Sequence, residues 1–186
     1  MKQVAENIAG YAVGTQSVSA CVADIIASIQ QAKRDQPGRW LACLNPHSYV
    51  VALNDPPFAQ ALHAADWLIP DGAGIILASK LLGGQIRERV TGSDIFREVH
   101  VALNQAGSYR VFFLGSTEAT LAAIRQRLAR DYPNLHLAGT YSPPFKAEFS
   151  AADNQAMIAA INAAINAAIN AAAPDVLWVG MTAPKQ

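Results

Sequence analysis

The sequence predicts an α/β fold, a Rossmann-like sandwich in which a mainly parallel sheet is flanked by helices. Three observations predict it. Short apolar runs bounded by turn residues alternate with helical segments along the whole chain. Those runs are apolar at every position, as in strands covered on both faces, instead of alternating with polar residues. The helical segments between them are long enough for the crossovers that join parallel strands. In such sheets ligands sit beyond the carboxyl ends of the strands. Asn45, Asp71, Gly115 and the residues after Gly180 all fall there.

Val18, Cys21, Val22, Ile25, Ile26 and Ile29 recur at three- and four-residue steps, which predicts an amphipathic helix over residues 17–33 with Ser17 or Ser19 as its cap. Pro37-Gly38 ends that segment. Residues 39–44 form an apolar run that stops at Asn45-Pro46 and reads as a buried strand, and Tyr49 lies in the opening of the next helix. Asp55-Pro56-Pro57 starts a helix over residues 58–65, with proline where a missing N–H costs nothing. Trp67-Leu68-Ile69 is a second strand, ending at Pro70-Asp71-Gly72. A helix over 75–82 closes at Gly83-Gly84, and one over 95–106, begun by Ser93-Asp94, closes at Gly107. Residues 109–114 are the clearest strand and run into Gly115-Ser116-Thr117 and a helix over 118–132. A weaker strand over 135–139, a loop with Pro143-Pro144, a helix over 151–172 and a strand over 176–180 complete the order. Within that last helix Ile161, Ile165 and Ile169 repeat every four residues, so their line drifts about 40° per repeat and stays roughly on one face.

A chain of 186 residues suffices for one domain with a formed core and is short for two, so residues 1–186 are expected to be a single core domain. Net charge is zero with no run of like charge, which argues against nucleic acid as a partner. Cys21 and Cys43 lie on different elements and no Cys/His cluster has zinc spacing. Reduced thiols in a cytosolic protein are therefore expected, with no metal and no cofactor. Glu6 and Asn7 precede any sustained apolar run, which makes a poor signal peptide, and no 18-residue stretch is free of charge or turn residues. Alanine-rich helices leave apolar surface open to homo-oligomer formation.

Charged residues are only 15% of the chain, yet Asp71, Arg87, Glu88, Arg89 and Asp94 fall in one glycine-rich window. Scarce charge that clusters between turns suggests an active-site loop followed by a clamp for an anion. Asp71 suits a general base if Leu68, Ile69 and Ile75 raise its pKa, and equally suits a cap for the helix near Gly74. Arg87 and Arg89 alternate around Glu88, so one can meet a diphosphate while the other stays solvated. Thr91 and Asp94 read as caps of the following helix. The strand-to-glycine turn at Gly115-Ser116-Thr117, followed by a helix, has the mechanics of an anion site. Neither G-x-G-x-x-G nor a P-loop lysine accompanies it, so a nucleotide is expected only as part of a substrate. Cys43 and His47 invite a cysteine-hydrolase reading, but four residues across a proline turn give no reason to place them in contact.

Cys43-Leu44-Asn45-Pro46, Ile69-Pro70-Asp71-Gly72-Ala73-Gly74, Arg87-Glu88-Arg89-Val90-Thr91-Gly92-Ser93-Asp94, Val111-Phe112-Phe113-Leu114-Gly115 and the terminal Val179-Gly180-Met181-Thr182-Ala183-Pro184-Lys185-Gln186 together resemble, in order, the WecG/TagA/CpsF family of bacterial glycosyltransferases. The resemblance runs from about residue 40 to the last residue. It implies inverting transfer of a sugar from a UDP-sugar to a polyprenyl-diphosphate-linked acceptor, at the cytoplasmic membrane face and without a metal. The sugar would be N-acetylmannosamine-type, or a hexose or uronic acid, and the product a teichoic acid linkage unit or another cell-surface polysaccharide. By the same resemblance Asp71 is the base that deprotonates the acceptor hydroxyl and Arg89 meets the leaving diphosphate. Cys43, Asn45, Gly72, Thr91, Asp94, Gly115, Ser116, Thr117 and Gln186 form the expected substrate-binding set.

Two departures qualify what the resemblance implies. Cys43 stands where the family often has threonine, so a hydroxyl contact is lost or replaced by a weaker thiol. Relatives continue beyond the position of Gln186 with a segment that reaches the membrane, so this chain is expected to be a core without its peripheral membrane contact, able to bind UDP with little or no transfer. The alternative from another class is a non-catalytic nucleotide-binding or regulatory module, and a third is a structural helper with no nucleotide affinity.

Overall fold

The apolar runs and helical stripes resolve into the predicted α/β plan, distributed over two compact units, Met1–Val99 and His100–Gln186. The computed structural model describes residues 4–32, 36–146, 148–167 and 174–185.

The first unit opens with an antiparallel hairpin, β1 (Ala5–Ile8) and β2 (Tyr11–Gly14), in which Ile8, Tyr11 and Val13 are buried. The sequence reading has no strands there. Helix α1 (Val18–Gln31) starts where Ser17 Oγ accepts the Ala20 N–H at 3.3 Å. Strand β3 (Leu41–Leu44) leads into α2 (Pro46–Asn54) and α3 (Pro56–Ala64), the second capped by Asp55, which accepts the Phe58 N–H at 2.9 Å. Strand β4 (Trp67–Pro70) is buried along its whole length and leads into α4 (Ala73–Leu81). β3 and β4 pair in parallel, Leu41 opposite Trp67 and Leu44 opposite Pro70. The register matters for function, because it brings the residues that follow the two strands, Asn45 and Asp71, out at one edge.

Helix α5 (Gly92–Ala106) runs through the boundary between the units. The second unit contains β5 (Arg110–Gly115), α6 (Glu118–Asp131), β6 (His136–Tyr141), α7 (Ala151–Ala167) and β7 (Val176–Gly180). Its strands run in parallel in the order β6-β5-β7. The β5 side chains are the reason for that order: five of its six residues are buried, as a central strand requires. Phe112, Leu114 and Met157 form a core closed by Ala138, Phe149 and Ile161. Truncating Phe112 to alanine would cost about 3–5 kcal/mol. His100 is fully buried, with its ring 5.3 Å from that of Trp178 and 5.2 Å from that of Tyr132. Asp175 accepts the Arg110 N–H at 2.8 Å and its own N–H donates to Arg110 O at 2.8 Å, which fixes the start of β7 against β5. The predicted helix over 151–172 is described to Ala167, and its remaining five positions lie outside the described residues.

Candidate active site

Asn45 follows β3 directly and is the cap of α2. Its Oδ1 accepts the Ser48 N–H at 2.8 Å, and the Asn45 N–H donates to Ser48 Oγ at 2.9 Å. Two orphan donors at the helix start are satisfied reciprocally, and the proline at the first helical position contributes no donor. The buried Ser48 is a site residue that the sequence reading omits, although an Asn-Pro pair followed by a hydroxyl at the third helical position is a capping signature.

Asp71 follows β4, and its N–H donates to Leu44 O at 2.9 Å, extending the β3–β4 ladder by one bond. It does not cap α4. The cap position belongs to Gly72, with φ +103°, and no side chain bonds the exposed N–H groups there. The glycine is needed for that φ, which strains any other residue, while an added Cβ would make only an ordinary contact, 3.7 Å from Pro46 Cδ. The Asp71 carboxylate is thus half-buried beside buried Leu68, Ile69 and Ile75, and accepts no hydrogen bond from the described residues.

The arginine loop crosses the end of the same strand. The Val90 N–H donates to Pro70 O at 3.1 Å, and Val90 itself is buried. Arg89 and Asp71 therefore stand on either side of one backbone hydrogen bond. The two arginines separate here. Arg87 Nη1 donates to Gly84 O at 2.7 Å, whereas Arg89 is exposed and its guanidinium makes no hydrogen bond or ion pair with the described residues.

Thr91 and Asp94 bear out the capping reading. Thr91 Oγ1 donates to Asp94 Oδ2 at 2.6 Å, and the Asp94 N–H donates to Thr91 Oγ1 at 3.1 Å. The Thr91 hydroxyl holds the Asp94 carboxyl below its ordinary range, against the opposing effect of burial and with help from the positive charges of Arg97 and Arg89. Cys43 adjoins the same edge: burial first, and then the charge of Asp71, push its thiol up to about 11 against the opposing Gly92 N–H. A nucleophilic cysteine needs a depressed pKa. The hydrolase reading of Cys43 and His47 ends with that observation, and Cys43 is a neutral thiol beside Asp71. A cleft of about 320 Å³ next to this loop is lined by Ser17, Ser19, Glu88, Asp94, Arg97 and Glu98. Its lining includes Asp94 of the expected substrate-binding set but neither Asp71 nor Asn45.

The second unit carries the other expected set. Gly115 ends β5 with φ +112°, and a Cβ on it would lie 2.5 Å from Gly180 O. Ser116 has φ +64°, and its carbonyl accepts the Ser142 hydroxyl at 2.7 Å. Thr117 caps α6, accepting the Thr120 N–H at 3.2 Å. Lys185 of the terminal motif donates to Lys146 O and lies 5.6 Å over the Phe149 ring. Gln186 lies outside the described residues. Among the described residues no helix is long and apolar enough to cross a membrane, and no three His, Cys, Asp or Glu side chains are grouped as metal ligands.

The model of the glycosyl transferase WecG/TagA/CpsF family matches residues 6–186. The chain belongs to the WecG/TagA/CpsF family. The match reaches back through the N-terminal hairpin, well before the first motif at Cys43. Among curated proteins it is similar to the N-acetylglucosaminyldiphosphoundecaprenol N-acetyl-beta-D-mannosaminyltransferase of Bacillus spizizenii, 28% identical over 80% of this chain and 52% of the relative. Proteins of the same name from Bacillus subtilis and Staphylococcus aureus are each 24% identical, over 80% and 79% of the chain. The chain spans about half the length of these WecG/TagA/CpsF relatives.

Proposed function

We propose that this chain carries the catalytic core of an inverting glycosyltransferase that moves an N-acetylmannosamine-type sugar from a UDP-sugar to a polyprenyl-diphosphate-linked N-acetylglucosamine. One observation carries the reading. A carboxylate and a guanidinium that make no hydrogen bond or ion pair with the described residues, Asp71 and Arg89, are the chain neighbours of Pro70 and Val90, which are joined by a 3.1 Å bond at the end of a buried parallel strand. Family membership and the names of the relatives support the choice of substrates.

In the proposed step an acceptor hydroxyl oxygen attacks the anomeric carbon of the donor. Its proton passes to the Asp71 carboxylate as the new C–O bond forms. The bond from the anomeric carbon to the UDP β-phosphate oxygen breaks with its electron pair leaving on that oxygen, and the anomeric configuration inverts. Arg89 meets the developing diphosphate charge, a task for which its planar fork is suited. The site needs no resident metal in this scheme. Asn45 and Cys43 line the acceptor side by their adjacency to Asp71. Gly72 leaves the backbone open there, and Thr91 and Asp94 hold the arginine loop. Gly115, Ser116 and Thr117, at a strand-to-helix turn within the second unit, are by themselves a candidate phosphate-binding turn. A lipid-linked acceptor implies action as a peripheral protein at the cytoplasmic membrane face.

Calorimetric titration with UDP and with NAD tests the nucleotide choice, and transfer of a UDP-linked N-acetylhexosamine to N-acetylglucosaminyl-diphosphoryl-polyprenol tests the reaction. Asp71→Asn should lower transfer at least 100-fold, within the usual contribution of a general base, and leave UDP affinity within about twofold. Unchanged turnover would remove Asp71 from the role of base. UDP binding without transfer in a chain extended to the length of the relatives would favour a regulatory module, and no nucleotide affinity would favour a structural helper.

A further inference from the structure

The loop that bears Arg89 is tied down at a second point, by a residue 79 positions away in sequence from its partner. Glu6 on β1 accepts the Gln85 N–H on Oε2. Burial pushes its carboxyl up, but the N–H groups of Gln85 and Ile86, the Ser79 hydroxyl and the Arg87 charge outweigh that and lower it overall. Ser79 is fully buried at the end of α4, and its Oγ accepts the Ile86 N–H at 3.2 Å, which leaves its own hydrogen to point at the carboxylate. Gly84 is shaped by the same contact, since a Cβ there would overlap Glu6 Oε1. Glu6 thus holds the start of the loop through the Gln85 N–H on Oε2, while its Oε1 is buried against Gly84 without a hydrogen-bond partner among the described residues, and Val90 pins the other end to Pro70.

We infer that Glu6 is a positioning residue, through which the N-terminal hairpin sets the register of the Arg87–Thr91 loop and so the place of Arg89 beside Asp71. The span between the two anchors is short. With Gln85 and Val90 both fixed, Arg87, Glu88 and Arg89 have few ways to bridge them, and all three are exposed between buried Ile86 and buried Val90. If the Glu6 anchor is lost, the segment keeps the Ile86–Ser79 and Val90–Pro70 bonds but loses its tie to the hairpin, and Arg89 samples positions that this tie excludes. The effect on ligand rests on the reading of Arg89 as the diphosphate group, whereas the effect on the loop does not.

The experiment compares the parent with Glu6→Gln, Glu6→Asp and Gly84→Ala. Gly84→Ala dislodges the carboxylate while keeping Glu6, and its backbone is not in a left-handed conformation, so the added methyl strains nothing else. Two quantities are read below the melting temperature of every variant: UDP affinity by calorimetry and amide hydrogen exchange at Val90. Glu6→Gln and Gly84→Ala are each expected to weaken UDP about tenfold and to speed Val90 exchange at least tenfold, with Glu6→Asp recovering part of both. A purely structural role would lower the melting temperature and leave both quantities at the parental value, and that result overturns the inference. It is overturned as well if affinity falls with Val90 exchange unchanged, or if exchange quickens with affinity unchanged. If the parent binds no UDP, the functional reading fails on its own account, and Val90 exchange alone then decides for or against the Glu6 anchor. Should Glu6→Gln not fold, Gly84→Ala decides the question through the same two quantities.

Discussion

Arg89→Ala separates a ligand-binding arginine from a structural one, and the structure sets the size of the effect. The guanidinium is exposed and makes no hydrogen bond or ion pair with the described residues beyond the charge it lends Asp94, so its loss leaves no buried group unsatisfied. Stability should therefore change by no more than about 0.5 kcal/mol. A charge-assisted hydrogen bond to phosphate contributes a net 1.5–3 kcal/mol or so, and solvent screening at an exposed position favours the lower half of that range. A loss of about 2 kcal/mol corresponds to roughly 30-fold weaker UDP binding. The ligand series sharpens the assay. By calorimetry at fixed ionic strength, Arg89→Ala should weaken UDP most, UMP much less and uridine not at all. Arg89→Lys should restore part of the UDP affinity through charge without the fork. Rising salt should narrow the gap between parent and variant. A parental affinity for UDP, or an equal loss on uridine, would refute the assignment of Arg89 to the diphosphate.

Gly115→Ala should lower stability by about 2–5 kcal/mol, read as a shift of the urea midpoint, because it combines backbone strain of about 1–3 kcal/mol at φ +112° with overpacking against Gly180 O. Asp153 accepts from Lys146 Nζ at 2.8 Å and from Ser150 Oγ at 2.7 Å, and these partners hold its carboxyl at about 2. Its folded value is depressed, so the stabilisation is fully present above the ordinary value of 3.8 and is lost as pH falls toward about 2. Lys146→Ala should move the Asp153 titration upward when followed by NMR. The Cys43 thiol, pushed up to about 11, should react with iodoacetamide much more slowly at pH 8 than a free cysteine.

How much of this was legible in the sequence depended on the range over which each feature is determined. Ser17 and Asp55 cap their helices through neighbours three residues on, so short-range chemistry sufficed to find them, whereas Thr117, read as part of an anion turn, is a cap of the same kind. The apolar runs at Trp67 and Val111 announced buried strands for the same reason. The hairpin escaped notice because its two strands are only four residues each and its turn is Ala9-Gly10, without the Asn-Gly or Asp-Gly signal of a tight turn. The bond between Glu6 and Gln85 had no local signal at all. The division of roles between Arg87 and Arg89 was equally hidden, since it turns on a carbonyl at Gly84 that only the folded loop presents.

The charged window at residues 71–94 resolves by the same logic into groups that the fold occupies and groups that it leaves open. Asp94 is closed by Thr91, and Arg87 by Gly84 and the charge of Glu6. Asp71 has a glycine in the position where it could itself have been a cap, and Arg89 sits one residue before a buried valine that is bonded to the strand. Partnered charges hold the loop, and the unpartnered pair is what the loop is held in place to present. An acid and a base of opposite sign left open at the same strand end would ordinarily neutralise each other as an ion pair. No such pair forms between Asp71 and Arg89. Held at neighbouring points of one strand end and unpaired with each other, they are free for the separate tasks proposed for them, the proton taken by one and the leaving charge met by the other.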